Sequence, residues 1–119
     1  MKRGRLIAVA LTLGWALAIT WGSLTPGSSL PSDLPWDKFN HFVGYGGLAM
    51  GLSLTGLRPR WAVGLAILYG IAVEYAQLAV PGRSGGDWAD ILANSLGAVA
   101  GTLFAMLIRG LYRRRLASC

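Results

Sequence analysis

Four stretches of this chain run almost without charge: residues 6–24, 39–57, 61–80 and 91–108, with 19, 19, 20 and 18 residues. A helix rising about 1.5 Å per residue needs about 20 apolar residues to cross a hydrocarbon core about 30 Å thick. Each stretch is long enough, and together they take 76 of the 119 residues, which leaves no room for a second domain. A soluble bundle would need a polar face on every helix, and these stretches have none. Composition agrees: charged residues make up 13% of the chain, about half the ~25% of soluble domains, and the mean hydropathy is +0.50. The sequence therefore predicts an all-α, single-domain (1–119) integral membrane bundle of four transmembrane helices. Disorder requires low hydrophobicity and high charge, so it is excluded. A single cysteine excludes a disulfide scaffold and a Cys-based zinc site.

The charges between the spans orient the chain. Lys2, Arg3 and Arg5 precede the first span, Arg58 and Arg60 separate the second from the third, and Arg109, Arg113, Arg114 and Arg115 follow the fourth. These nine basic residues share one side. The other side holds Lys38 and Arg83 with Asp33, Asp37, Asp87 and Asp90. The positive-inside rule then places both termini in the cytoplasm. The net charge of +6 is read as an orientation signal, and no nucleic-acid partner is expected, because the basic residues are divided among helix ends at the membrane surface. Arg113–Arg115 also suit anionic lipid. Met1–Arg5 with the apolar run behind it has the outline of a signal peptide, and 16–18 is a loose cleavage pattern; the run extends to Leu24, which is long for a signal and favours a retained helix. The five tryptophans fall largely near predicted interfaces.

Lipid gives helices no hydrophobic reason to associate, so small residues that permit close approach mark the packing faces. Gly44, Gly47 and Gly51 in span two, Ala66 with Gly70 and Ala72 with Ala76 in span three, and Gly97 with Gly101 in span four predict a close-packed core of spans two to four, with span one peripheral. Arg58-Pro59-Arg60 forms a tight hairpin that sets spans two and three antiparallel.

Polar residues gather near the outer ends of the same three spans. Asp37, His41 and Tyr45 stand at i, i+4, i+8 on one face of span two. Glu74 and Gln77 lie one turn apart in span three. Asp87, Asp90, Asn94, Gly97 and Gly101 form one stripe into span four, with Arg83 in the loop before it. Glu74 is the one charged residue inside the spans as drawn; a charge there is costly and faces the bundle, with Arg83, His41, Tyr45 or water as partner. Each residue also has a plain structural reading: a hydrogen-bonded clip between helices, or a carboxylate capping a helix N-terminus for Asp37, Asp87 and Asp90.

Taken in order, Asp37-Lys38-x-x-His41-Phe42-x-x-Tyr45, Glu74-x-x-Gln77, Pro81-Gly82-Arg83-Ser84 and Asp90-x-x-x-Asn94-x-x-Gly97-Ala98-x-x-Gly101 resemble the VanZ-like family of small bacterial integral membrane proteins, with a core at 36–101. The resemblance implies a multi-pass protein of the bacterial inner (plasma) membrane with a role in the cell envelope, and a link to resistance against the glycopeptide teicoplanin. It carries over Asp37, Lys38, His41, Tyr45, Glu74, Gln77, Arg83, Asp90 and Asn94 as a ligand-binding set; Asp87 falls in a variable part of the pattern.

Three functions compete. The first is a binder that recognises or shields a lipid-linked or peptidoglycan-related envelope component, and the balance tilts slightly toward it. The second is a membrane-embedded enzyme, with His41, Glu74 and Asp90 as acid–base groups and Lys38 and Arg83 holding a phosphate or carboxylate. A metal on His41, Glu74 and Asp90 would rest on one histidine and is not expected, nor is any other cofactor. The third is a small transporter, disfavoured because the polar set sits toward one end and not at the midplane. Oligomeric state is open. Cys119 reads as a free cytoplasmic thiol, with lipidation as the weaker alternative.

Overall fold

The computed structural model describes residues 2–26, 37–83 and 85–119. Four helices account for most of them: α1 (Arg3–Leu24), α2 (Asp37–Leu54), α3 (Pro59–Ala76), extended by a 3₁₀ turn Gln77–Ala79, and α4 (Trp88–Ala117). Among the described residues there is no strand. α1, α3 with its 3₁₀ turn, and α4 are each long and apolar enough to cross a membrane, with mean hydropathies of 1.7, 1.5 and 1.9. α2 is outside that group because its first turns carry Asp37, Lys38, Asn40 and His41. The exterior is apolar: Leu11, Leu68, Leu96 and Leu103, on three helices, all stand exposed, as suits a lipid-facing surface.

Local chemistry sets the helix ends. α2 stops at Leu54, short of the expected 57, because Gly56 turns left-handed (φ 108°) and its amide bonds back to the Ser53 carbonyl; a Cβ strains at that φ, so glycine terminates the helix here. Arg58 is extended before Pro59, and Pro59 opens α3 at N1, the position where a missing N–H costs least. Asp87 caps α4, its Oδ1 accepting from the Ala89 amide at 2.9 Å. α4 continues nine residues past the expected limit of 108, because Arg109 ends the apolar stretch without breaking the helix.

α2 and α4 start at the same end, run parallel and form the tightest contact in the bundle. Their backbones touch at glycines. A Cβ on Gly97 would overlap the Phe42 carbonyl, and one on Gly101 would overlap the carbonyl of Gly46. α3 lies across this pair, with Gly70 facing Tyr45 and Asn94 and with Ala62 and Ala66 buried. Gly44, Gly47 and Gly51, expected to bind α2 into the core with α3 and α4, instead receive Ile19, Trp15 and Thr12 of α1. Ala72 and Ala76, expected as a packing pair, are exposed. α1 is peripheral, with Thr12 its one buried residue. Side-chain hydrogen bonds nonetheless tie it down along its length: Arg5 Nε to Thr55 O, Trp15 Nε1 to Gly44 O, Thr20 with Tyr69, and Gln77 Nε2 to Ser23 O.

The bundle therefore has two unlike ends. Arg109 and Arg5 meet carbonyls in and just past the last turn of α2 at one. Lys38, Asp87 and Asp90 meet at the other.

Candidate functional site

The first turns of α2 and α4 converge because the glycine contacts hold these helices in parallel register. Lys38 Nζ bridges to Asp87 Oδ2 at 3.3 Å and to Asp90 Oδ1. One turn deeper, His41 Nδ1 lies 2.9 Å from Asn94 Oδ1. An amide oxygen only accepts, so Nδ1–H donates to it, and the other ring nitrogen faces Asp90 Oδ2 at 3.7 Å. Exposure falls from rim to floor. The side chains of Lys38 and Asp87 are 51% and 37% exposed, those of His41 and Asp90 11% and 6%.

Glu74 forms the floor from the α3 side and is fully buried. Its expected partners were Arg83, His41, Tyr45 or water, but the direct bond comes from the loop before α4. The Asp87 amide donates to Glu74 Oε1 at 3.1 Å, and the Gly86 amide donates to the Glu74 carbonyl at 3.2 Å. Two consecutive amides thus clasp one residue. Gly85 and Gly86 make this possible: a Cβ on Gly85 would collide with the end of α3, and Gly86 adopts φ 72°, which glycine reaches without strain. The adjacent Gly-Gly before a capping aspartate was the sequence signal for this clasp, and helical spacing alone does not register it.

The other members of the set divide. Tyr45 is buried beside Tyr69, ring centroids 6.5 Å apart. Gln77 is buried but turned toward α1, donating to Ser23 O at 2.9 Å, so it ties helices together away from the Lys38–Asp90 cluster. Arg83 is half-buried in the loop, and its side chain makes no hydrogen bond or ion pair among the described residues. Asp37 opens α2, but its side chain lies outside the described residues, as do Asp33 and Ser84. Asp87 is both cap and ion-pair partner, and its carboxyl is held below the usual aspartate value, first by the Ala89 amide and then by Lys38.

Chemically, the arrangement is a cation paired with two carboxylates, above an imidazole seated between an amide and a carboxylate, above a buried carboxyl group. Such a site can recognise a polar group and can also take up and release a proton. Among the described residues, no three His, Cys, Asp or Glu side chains are grouped to hold a metal ion. Among the described residues, open apolar grooves lie between α1 and α2 and beside the end of α1.

A family model described as VanZ/LLP1 matches residues 4–109. No curated protein and no solved structure matches the chain.

Proposed function

The chain belongs to the VanZ/LLP1 family, and from that premise we propose that it is a four-span protein of the bacterial plasma membrane whose polar site binds or protects a cell-envelope component on the extracytoplasmic side. In this reading α2 is the fourth crossing. Its polar opening is tolerated because Lys38 and His41 are turned onto α4 and not toward lipid. Both termini are cytoplasmic, since the nine basic residues collect at the end opposite the site. The observation that carries the proposal is the polar cluster at the acidic end of an otherwise apolar bundle, running from half-exposed Lys38 through His41 to buried Asp90, Asn94 and Glu74. Polar groups within a membrane bundle are costly and mark function more often than packing. The ligand class is a lipid-linked or peptidoglycan-related molecule. The proposal extends to a contribution to glycopeptide (teicoplanin) resistance, for which family resemblance is the one support.

A lipid and glycopeptide binding screen of the purified full chain tests this, paired with alanine substitutions at Asp37, Lys38, His41, Tyr45, Glu74, Gln77, Arg83, Asp90 and Asn94. The expected result is a ligand recovered unchanged, with binding weakened most at His41, Asp90 and Arg83 and little at Gln77. Equal loss at Gln77, or no loss at any folded variant, overturns it.

One observation favours a second reading, an enzyme acting on a lipid-linked substrate: the His41 ring is held on one side by Asn94 and faces Asp90 on the other, as a general acid–base group requires. Recovery of a chemically altered ligand, with turnover lost in His41→Gln, would decide for it.

A further inference from the structure

At the basic end, α1 and α2 leave an open groove of about 240 Å³ lined by Ala8, Leu11 and Trp15 on one wall and Gly47, Met50 and Leu54 on the other. The α1 wall, from Ala8 to Trp15, runs about 10 Å along the helix axis. Its inner end is closed by Trp15, whose indole N–H donates to Gly44 O at 2.7 Å. Leu11 and Leu54 stand exposed along its rim.

One turn beyond Ala8, at the mouth of the groove, stands Arg5. Its Nε donates to Thr55 O at 2.7 Å, and its guanidinium packs against Gly56. That bond uses one of the five N–H donors of the group. The remaining four have no protein partner among the described residues. The guanidinium is therefore fixed in place with a fork of donors unspent, a geometry that matches phosphate oxygens. No described acidic residue competes at this end, because Glu74, Asp87 and Asp90 lie at the other. Arg58 and Arg60 in the α2–α3 hairpin and Arg109 on α4 add positive charge instead.

We propose that the α1–α2 groove is a binding site for one anionic phospholipid of the leaflet at the basic end, its phosphate held by Arg5 and one acyl chain laid along the groove toward Trp15. The apolar walls take the chain, the guanidinium takes the phosphate, and the surplus of positive charge selects a headgroup of net negative charge over a zwitterionic one. The lipid bridges α1 to α2, and adds contact to α1, whose one buried residue is Thr12. The proposal rests on the membrane reading above.

Native mass spectrometry of the full chain in detergent, titrated with dioleoylphosphatidylglycerol or dioleoylphosphatidylcholine, tests it. The expected result is one retained phosphatidylglycerol with about fivefold preference over phosphatidylcholine. Arg5→Gln removes the preference, Ala8→Phe fills the groove and releases both lipids, and Arg113→Gln, which removes a charge from the same end outside the groove, leaves the preference intact. Helical content by circular dichroism verifies that the variants fold. Preference surviving Arg5→Gln, equal loss in Arg113→Gln, no preference in the parent chain, or a dimer whose lipid content Ala8→Phe does not change overturns it. Alkaline carbonate washing of membranes separates the two readings: a chain washed off the membrane brings down the membrane assignment, whereas a retained chain without lipid preference brings down this site alone.

Discussion

The two ends of the bundle solve the same problem with opposite charge. At the basic end, Arg109 donates to Ser53 O in the last turn of α2 and Arg5 to Thr55 O just past it. The carbonyls at a helix C-terminus lack the full set of helical partners, and a cation beside them also answers the negative end of the helix dipole. Each arginine acts singly, with no carboxylate beside it. At the other end the charges are pooled. Lys38 joins two aspartates, one aspartate faces a histidine, and a buried glutamate is clasped by backbone amides. Single capping charges stabilise a helix and can be lost one at a time. A pooled network has members that depend on one another, so removing one strands the rest.

The comparison rests first on the register of α2 against α4, which sets both ends at once. Gly101→Val places a side chain on the Gly46 carbonyl. It is expected to cost at least about 3 kcal/mol and to abolish a cooperative melt in detergent; a normal melt would break the account at its root.

Next in size, Asp90→Ala leaves Lys38 with Asp87 alone and His41 without its facing carboxylate. Because Lys38 is half-exposed, the loss is discounted from that of a fully buried pair to about 2 kcal/mol, read by thermal unfolding. Lys38→Ala together with Asp90→Ala should cost less than the sum of the two single changes, which sharpens the claim that this end is a network.

Arg109→Gln should cost about 1 kcal/mol, the value of one charge-assisted bond to a helix terminus. A cost above that of Asp90→Ala would invert the comparison.

The smallest effect is a pH dependence. The Asp87 carboxyl is held below its ordinary value of 3.8, so its folded form favours the ionised state. The stability it contributes is present above that ordinary value and is lost as the pH falls through the lowered one. Melting temperatures followed from neutral into acid should decline less steeply in this range for Asp87→Asn than for the parent chain.

The residues of this chain specify its helices more fully than their pairing. Charge-free length alone delivers the four helices. The position of Arg58 and Pro59 delivers the hairpin, and the sign of the loop charges delivers two unlike ends. The i, i+4 spacing of His41 and Tyr45 and the Asp90–Asn94 stripe rightly place polar groups on inward faces, because helical periodicity reports which way a side chain points. It does not report what stands opposite. The same glycine spacing therefore fits two partners: Gly44, Gly47 and Gly51 serve α1, and Gly46, one residue off that stripe, meets α4. Gln77 shares a turn with Glu74 and faces a different helix. Glu74 finds its partner in loop amides, to which helical spacing is blind. Sequence thus determined the number of helices, the polarity of the ends and the residues that turn inward, since these follow from local chemistry along one chain. The pairing of faces, the closure of the site over Glu74 and the groove beside Arg5 were decided only by tertiary structure, since each depends on which atoms of distant segments come within a few ångströms.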